Sequence, residues 1–331
     1  MEMKVLIVSN EYNRPGRLGN PIIPRLINAT RNDSRVERVV FRPFTNSFGD
    51  FALIRKDAKD SDIIHIHFGG IYALLVWFAL IGINAYKFIT FHGTDLHAGE
   101  LATTKSISTR IRIKLNRISS IISVCVFDSV GVVSESLIDF IPKYVLNRCS
   151  RKIFVQSLGV DFDLFQKEEV EIAQNRLGLK NNKYILFSDK SNTPIKRRDI
   201  AESIMSFLQG YTLLVMCGVS PDEVPIYINS SEAILITSDM EGSPNIVREA
   251  LALNKRVFSV DVGDVRKQIE GLKDSCIISR DPQQAAKTII EKLSMTYSDN
   301  TRNMYNNRLN INNLTSRVID VYETLIINKH P

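Results

Sequence analysis

The chain has 331 residues, of which 44% are hydrophobic and 24% charged, and it contains 16 glycines and 11 prolines. This composition excludes collagen-like, intrinsically disordered and disulfide-knot proteins, and the length predicts two domains of similar size. The formal charge is +6, and all of the excess falls in residues 1–165, which hold 21 basic and 15 acidic side chains, against 21 of each in residues 166–331. The first half is therefore predicted to meet an anionic partner.

Three features bear on cellular location. The four cysteines lie far apart without a CxxC pair, which is typical of a reducing compartment, and the apolar run that ends at Val8 is too short for a signal peptide. The uncharged stretch 68–86 is long enough to span a bilayer. Its glycines and the strand-like runs on either side instead favour a helix of about 12 residues buried against a sheet. We expect a cytoplasmic protein.

Short β-rich runs alternate with helical patterns along the chain. The predicted strands are 4–9, 37–41, 62–67, 88–91, 129–133 and 152–156 in the first half, and 184–188, 212–217, 233–237, 256–260 and 275–278 in the second. The predicted helices include 198–208, 243–253 and 282–293. This alternation predicts an α/β fold with parallel, doubly wound sheets.

A charge-dense segment interrupts this alternation near the middle of the chain. We predict an amino-terminal Rossmann-like domain at 1–158, a linker and hinge at 159–172, and a second Rossmann-like domain at 173–303. The last segment, 304–331, is predicted as a helix that crosses back to the first domain.

The most specific motif is the string 241–249, which reads EGSPNIVRE and follows a predicted strand. Ser243 and Pro244 are predicted to begin a helix, as the capping hydroxyl and the first helical residue. The free amides of Asn245 and Ile246 would then point out of the positive end of that helix, which is a ready phosphate site.

The same string carries two carboxylates, Glu241 and Glu249. Glu249 on the helix suits a bidentate grip on a ribose diol, and Glu241 in the loop is placed to reach sugar hydroxyls. From the residues alone, a capped surface helix whose glutamates favour the helix dipole remains the alternative.

The loop 187–199 follows the first strand of the second half and holds four cations. Lys190 and Lys196 are predicted to converge on a diphosphate if the loop folds back towards the carboxyl end of the strand. A solvated basic loop is the alternative.

His92 follows a predicted strand of the first half, at the end where α/β sheets place their sites. A hydrogen-bonded loop histidine is the alternative, because no partner is visible in the sequence. His65 and His67 alternate along another predicted strand, and nothing else marks them. The Asp-x-Asp strings at 60–62 and 161–163 have better local explanations than a metal site, so we expect no metal.

The positive charge of the first half concentrates between residues 101 and 127, which include no acidic side chain. The cations of this segment are Lys105, Arg110, Arg112, Lys114 and Arg117. Apolar residues recur between them at helical spacing, as in helices that lie on an anionic membrane face. A helix packed on the sheet with solvated charges explains the pattern equally well. Nucleic acid is a poorer partner, because no nucleic-acid-binding motif accompanies the charge.

Taken in order, these motifs resemble glycosyltransferase family 4, of GT-B fold and bacterial surface-polysaccharide type, over nearly the whole chain. The two glutamates of that family, with seven residues between them, match Glu241 and Glu249, and its cation pair, at an interval of six positions, matches Lys190 and Lys196. The further matches are the HG-D motif at 92–95, the linker turn at 158–165, and the strand and turn after the glutamate helix at 259–265.

The resemblance implies two Rossmann-like domains that face each other across a cleft, and a role for each matched residue. The implied catalytic residues are His92, Lys190, Lys196 and Glu241. The implied donor-binding residues are Lys190, Lys196, Glu241, Gly242, Asn245, Ile246 and Glu249, and the implied acceptor-binding residues are Gly16, Gly19 and Asp95. The lysines would neutralise the leaving diphosphate, the helix amides would hold it, and His92 would help to position the sugar.

The chain departs from the family pattern at several positions. Lys190 stands where arginine is usual, and Arg197 stands where glycine follows the second cation. The loop 16–19 lacks an adjacent glycine pair, and Leu158 replaces the linker asparagine. These departures concern donor placement.

The expected function is a retaining, metal-independent hexosyl- or N-acetylhexosaminyltransferase without a cofactor. It would move a sugar from a nucleotide-diphosphate donor, with UDP favoured, to a glycan or lipid-linked acceptor in cell-surface polysaccharide synthesis, in the cytoplasm or on the inner face of the plasma membrane. The alternatives are a sugar-nucleotide epimerase of the same fold and an inactive homologue that acts as a membrane-bound binding partner. A dinucleotide oxidoreductase is disfavoured, because no GxGxxG follows the first strand.

Overall fold

The computed structural model describes residues 2–12, 19–45, 47–97, 106–189, 193–296 and 308–327. Its contacts divide the chain into two units, one formed by Met1–Gly159 with Ile311–Pro331 and the other by Val160–Asn310. Each unit is built on its own parallel sheet. The prediction of an α/β protein with two parallel-sheet domains is confirmed.

The first unit contains six strands in the order β2-β1-β3-β4-β5-β6, and all neighbours are parallel. These strands are β1 (Met3–Ser9), β2 (Val36–Pro43), β3 (Ile63–His67), β4 (Tyr86–Phe91), β5 (Ser129–Val132) and β6 (Ile153–Val155). The connecting helices are α1 (Ile22–Arg31), α2 (Phe48–Ala58), α3 (Ile71–Ala79), α4 (Thr94–His97), α5 (Ile107–Val126) and α6 (Lys143–Cys149). β3 is buried along its whole length because crossover connections cover both faces of such a sheet.

The second unit contains five strands in the order β11-β10-β9-β7-β8, again with parallel neighbours. These strands are β7 (Lys183–Ser188), β8 (Tyr211–Met216), β9 (Ala233–Ile236), β10 (Arg256–Ser259) and β11 (Cys276–Ile277). The helices are α7 (Val170–Arg176), α8 (Arg198–Met205), α9 (Val224–Asn229), α10 (Asn245–Ala252), α11 (Val265–Gln268) and α12 (Pro282–Leu293). Val160 and Phe165, from the segment predicted as a linker, are buried in the core of this unit.

The last described helix, α13 (Ile311–Ile327), packs on the first unit. Its Ile319 and Ile326 join the hydrophobic core around β1 and β3. Arg35 forms ion pairs with Asp320 at 2.6 Å and with Glu323 at 3.1 Å.

The sequence prediction for the uncharged stretch 68–86 is partly wrong. α3 has nine residues instead of about 12, and it buries only one face, through Tyr72, Ala73 and Val76. Leu75 and Phe78 are 45% and 54% exposed, because a single helix on a sheet can turn only one side towards it. Within the described ranges, no helix combines the length and the apolar composition that a membrane span needs.

Candidate functional site

Two predicted donor-site residues of the second unit lie at the carboxyl ends of neighbouring strands. Lys196 ends a 3₁₀ turn in the loop after β7, and Glu241 lies in the loop after β9. β7 pairs with β9 on one side and with β8 on the other, so the direction of the chain connections reverses between β7 and β9. Open α/β sheets bind their ligands at such a reversal.

Lys196 and Glu241 form an ion pair. Nζ of Lys196 lies 2.6 Å from Oε1 of Glu241, and the same oxygen accepts a hydrogen bond from Ser238 Oγ at 2.7 Å. The two side chains are 28% and 15% exposed. With Ser238 and Ile246 they line a small pocket against β7 and β9. The structure therefore brings the predicted phosphate and sugar contacts together, and their roles stay predictions.

The start of α10 differs from the prediction. Pro244 is the N-cap residue, in an extended conformation, so the predicted capping role of Ser243 is wrong. The Ser243 hydroxyl donates instead to Asp264 Oδ2 at 2.7 Å, a partner 21 residues away. The first helical residues are Asn245 and Ile246, whose amides have no acceptor within the helix. The positive end of the helix is thus formed by the two predicted amides.

A buried arginine lies beneath this helix start. Arg248 is 2% exposed and donates to the carbonyl oxygen of Ser243 at 3.2 Å and to Asn245 Oδ1 at 2.6 Å, as well as to the Ser243 hydroxyl. Burial lowers the pKa of its guanidinium, yet an arginine keeps its charge at neutral pH. Its charge therefore adds to the positive end of α10. Sequence reasoning missed Arg248, because a lone cation in a helical pattern is ordinarily exposed.

The loop after β10 packs against the loop that carries Glu241, Gly242 and Ser243. Gly263 has a φ of +56°, and a Cβ at this position would lie 2.6 Å from the carbonyl oxygen of Gly242. Asp264, the next residue, binds Ser243 through Oδ2 and accepts from Gln268 Nε2 at 2.5 Å through Oδ1. The predicted donor contact Gly242 is thus held by a backbone approach that only glycine at 263 allows.

Two donor-side predictions remain. Glu249 lies in the second turn of α10 and is 6% exposed. Lys190 lies outside the described residues. The described residues that flank it are Asp189 and Thr193. Asp189 is buried, and its Oδ1 accepts a hydrogen bond from the Thr193 amide at 3.1 Å.

Arg197, at the family's glycine position, adopts a left-handed conformation with a φ of +51°. Its guanidinium lies 2.8 Å from Asp199 and 3.3 Å from Asp239. The carboxylates raise its pKa further above its ordinary value, with the hydrogen bond to Asp199 as the largest cause. The left-handed backbone conformation at this position favours glycine. In this chain the position holds an arginine, which forms two ion pairs.

In the first unit, His92 directly follows β4 and has a partner that the sequence did not reveal. Its Nε2 lies 3.1 Å from Nδ1 of His67, the last residue of the adjacent strand β3. Its ring stacks on Phe68, with centroids 4.1 Å apart and planes 26° from parallel. The hydrogen bond is what the alternative of a hydrogen-bonded loop histidine predicts, while the place of both rings at the carboxyl ends of neighbouring strands is that of a ligand site in an open α/β sheet.

The other first-unit predictions lie around this histidine or outside the described ranges. Asp95 is partly buried, and its carboxylate accepts from the amides of Gly69 at 2.8 Å, Gly93 at 2.7 Å and His92 at 3.1 Å. Burial is the largest influence on its pKa and raises it, although these hydrogen bonds oppose the shift. Gly19 is buried just before α1. Gly16 lies outside the described residues.

His65 lies beside His67 in the core of the first unit. Its Nε2 lies 2.7 Å from Thr90 Oγ1, and its Nδ1 lies 2.5 Å from the hydroxyl of Tyr322 on α13. Thr90 donates to Gln156 Oε1 at 2.7 Å. The alternation Ile-His-Ile-His along β3 could have shown that both imidazoles share one face, since residues two apart in a strand do so.

Burial keeps these imidazoles neutral. It lowers the pKa of His67 to about 3, and it holds the pKa values of His65 and His92 well below their usual value, with the neighbouring histidines adding to the effect. At neutral pH each ring therefore has one nitrogen that donates and one that accepts.

The Asp-x-Asp strings serve local structure. Asp60 pairs with Arg38 at 2.5 Å and Lys4 at 3.3 Å, and Asp62 accepts from the Lys4 amide at 2.8 Å. Asp161 accepts from two amides in its own turn. No group of three or more metal-ligating side chains occurs among the residues that the structure describes.

Helix α5 turns both charged and apolar side chains to solvent. Its exposed cations are Arg110, Arg112, Lys114 and Arg117, whereas Lys105 lies outside the described residues. Ile111, Leu115 and Ile118 are also about half exposed. α3 packs beside α5, with Trp77 Nε1 donating to the Val126 carbonyl at 3.1 Å. The solvent-facing side of α5 thus mixes apolar side chains with charges that are all positive, and that of α3 exposes apolar side chains such as Leu75 and Phe78.

Solved structures match nearly the whole chain. Sucrose-phosphate synthase from Thermosynechococcus elongatus is 13% identical, with a TM-score of 0.70 over 98% of this chain and 100% of that one. HepE from Anabaena, in complex with UDP-glucose, is 14% identical, with a TM-score of 0.73 over 98% and 100%. A glycosyltransferase from Rickettsia africae is 14% identical, with a TM-score of 0.66 over 98% and 99%. These similarities show a two-domain GT-B α/β fold. No protein-family model and no curated protein sequence matches the chain.

Proposed function

We propose that this protein is a retaining, metal-independent glycosyltransferase of the family 4 type that uses a nucleotide-diphosphate sugar. The observation that carries the proposal is the Lys196–Glu241 pair at the reversal between β7 and β9, in a pocket bordered by the amino end of α10. Cations and helix amides favour a diphosphate there, and a carboxylate suits sugar hydroxyls. UDP is favoured as the nucleotide, because solved HepE structures of this fold contain UDP-glucose and UDP.

Each predicted residue keeps its part in this proposal. Lys196, with Lys190, neutralises the diphosphate, the amides of Asn245 and Ile246 and the backbone at Gly242 hold it, and Glu249 binds the ribose. His92 positions the sugar, and Gly16, Gly19 and Asp95 belong to the acceptor side. The segment 159–172 is the proposed hinge for closing the site.

The reaction breaks the bond between the anomeric carbon and the diphosphate oxygen, and the electron pair leaves with the diphosphate. An acceptor hydroxyl forms the new bond on the same face of the sugar, and its proton passes to the departing oxygen. Lys196 and the positive end of α10 stabilise the charge that develops there, which is the task that Mg²⁺ performs in other sites. We therefore expect activity to persist in a chelator.

A binding panel tests the proposal. Thermal shift with UDP-, GDP- and dTDP-sugars is expected to raise the melting temperature with UDP-sugars most, and Glu249→Ala is expected to remove the effect. Glu202→Ala changes an exposed glutamate of α8 and serves as the control. If no nucleotide sugar stabilises the wild-type protein, the proposed function is wrong.

Product analysis separates the two alternatives. An epimerase would convert the nucleotide sugar without an acceptor, whereas a transferase releases UDP in step with sugar transfer to a glycan or polyprenyl-diphosphate acceptor. An inactive binding partner would do neither.

The surface of α3 and α5 supports a lipid-linked acceptor at the inner face of the plasma membrane, in polysaccharide assembly. Exposed apolar side chains such as Leu115 and Phe78 suit insertion among headgroups, and the cations of α5 suit anionic lipid.

Sedimentation with anionic vesicles tests this part of the proposal. Changing Arg110, Arg112 and Lys114 to Ser is expected to abolish vesicle binding, whereas changing the exposed Lys180, Lys273 and Lys287 of the second unit to Ser is the charge-matched control. Equal loss in both variants, or no loss in either, would contradict it.

A further inference from the structure

His92 is held by Asp95 of its own motif and by two residues outside the motifs, Phe68 and His67. The amide of His92 is fixed by Asp95, which also holds the amide of Gly69 at 2.8 Å, so one carboxylate joins the loops after β3 and β4. The first of these loops carries Phe68, and its ring stacks on the imidazole.

Phe68 adopts a strained conformation to make this contact. Its φ is +69°, in the left-handed region that a bulky side chain rarely enters. Its amide still donates to the Thr90 carbonyl at 2.9 Å, which extends the pairing of β3 with β4 by one residue. Strain of this kind persists where the surroundings impose it, and it concentrates at ligand sites.

His67 fixes the edge of the imidazole. Its Nδ1 lies 3.1 Å from Nε2 of His92, and because both rings are neutral, one nitrogen donates and the other accepts. The hydrogen-bonding state of one ring therefore sets that of the other. His67 is itself confined, since its ring lies against His65 with centroids 4.0 Å apart.

The second ring nitrogen of His92, Nδ1, has no hydrogen-bond partner among the described residues. This nitrogen is also buried. A buried polar atom without a partner is unfavourable, and a ligand hydroxyl would relieve that. A sugar hydroxyl can donate or accept, so it fits either state of Nδ1.

We infer that His67 and Phe68 are positioning residues for His92, which they hold in one orientation and one tautomer so that Nδ1 receives a sugar hydroxyl. The inference rests on the proposed glycosyltransferase function for the identity of the ligand. The inferred orientation and tautomer of the His92 ring do not depend on that function.

The test uses the whole protein labelled with ¹⁵N-histidine. In the wild type, long-range ¹H–¹⁵N spectra are expected to show a single neutral tautomer for His92 from pH 6 to 8. In His67→Leu the signals are expected to move to the averaged positions of a ring that exchanges between tautomers, and His67→Gln, which can donate and accept, is expected to restore a single state. An averaged His92 signal in the wild type would overturn the inference without any activity measurement.

Kinetics supply the second reading. His67→Leu is expected to lower kcat/KM by roughly 10- to 100-fold while the Kd of UDP stays unchanged, and His67→Gln is expected to recover most of the loss. Tyr322→Phe removes the hydroxyl that binds His65, so it is the matched structural control: it lowers the melting temperature but leaves kcat/KM and the His92 tautomer unchanged. Full kcat/KM in a folded His67→Leu variant would refute the inference. Absence of sugar transfer by the wild type, with a single His92 tautomer, would contradict the proposed function alone.

Discussion

Nζ of Lys196 lies 2.6 Å from Oε1 of Glu241, although the two residues follow different strands and are 45 positions apart in the chain. Each group neutralises the charge of the other. Under the proposed function, a diphosphate that binds here would share Lys196 with the carboxylate, and the negative charges of the two would repel each other. Removal of Lys196 and removal of Glu241 are therefore expected to have opposite effects on the binding of UDP.

Glu241→Gln is expected to tighten the binding of UDP about three- to tenfold, because it frees Lys196 and removes a nearby negative charge. Lys196→Met is expected to weaken it roughly 10- to 100-fold, as for the loss of a charge-assisted hydrogen bond. Isothermal titration calorimetry with UDP at two salt concentrations measures both effects.

Arg198→Met is the matched control for this pair of variants, because Arg198 is an exposed cation two residues from Lys196 that pairs with Glu202. Its change is expected to alter the Kd of UDP by less than about twofold. Weaker UDP binding in Glu241→Gln would show that the carboxylate supports the nucleotide and does not compete with it.

Gly263→Ala is expected to lower the free energy of unfolding by about 2–3 kcal/mol, since the added Cβ would lie 2.6 Å from the Gly242 carbonyl oxygen at a φ of +56°. The same shift would displace the loop that carries Glu241, so UDP binding is expected to weaken as well. Urea denaturation and calorimetry check the two outcomes.

Gly210→Ala separates backbone strain from the steric contact. Gly210 has a φ of +81°, but a Cβ there would meet nothing within 4 Å. We expect a loss of about 1 kcal/mol and unchanged UDP binding. If the two alanine variants behave alike, the contact between the loops does not position Gly242.

The sequence predicted those parts of the molecule that depend on short-range patterns. The strands were predicted to within two residues at each end, because runs such as that of β9 are apolar and bounded by turn residues. Glu241 and Lys196 were marked by their short spacings from Glu249 and Lys190. The partnership of His67 with His92 was missed because it joins a strand end to a loop 25 residues away in the chain. The burial of Arg248 was missed because a lone cation in a helical pattern is ordinarily exposed.

The N-cap of α10 was predicted wrongly because it also depends on a tertiary contact. Ser243 has the side chain and the position of a helix cap, and local rules select it. Its hydroxyl is taken by Asp264 and Arg248, and the choice between these partners is made by the fold of the loop after β10. A tertiary contact thus overrides a local preference that was correctly recognised.

The stability of the second unit is expected to rise with pH above about pH 8 through Lys255. Burial, with the charge of Lys167 as a smaller cause, lowers the pKa of Lys255 from 10.5 to about 8. Below pH 8 the folded and the unfolded chain both carry the proton, and the buried charge destabilises the fold. Between pH 8 and 10.5 the folded protein loses the proton and the unfolded chain keeps it, so the free energy of unfolding increases with pH.

Urea denaturation of the wild type and Lys255→Met between pH 7 and 10 measures this effect as a difference, with a slope of at most about 1.4 kcal/mol per pH unit. The difference is needed because burial also raises the pKa of Cys276 to about 11, which acts in the opposite direction above pH 9 in both proteins. Lys255→Met also loses two hydrogen bonds, to the carbonyl oxygens of Asn229 at 2.9 Å and Ser231 at 2.8 Å, and that loss shifts the curve without tilting it. The exposed Lys273→Met is the control and is expected to retain the wild-type slope. Parallel curves for the wild type and Lys255→Met would mean that Lys255 keeps its proton in the folded protein, held by those two carbonyl groups.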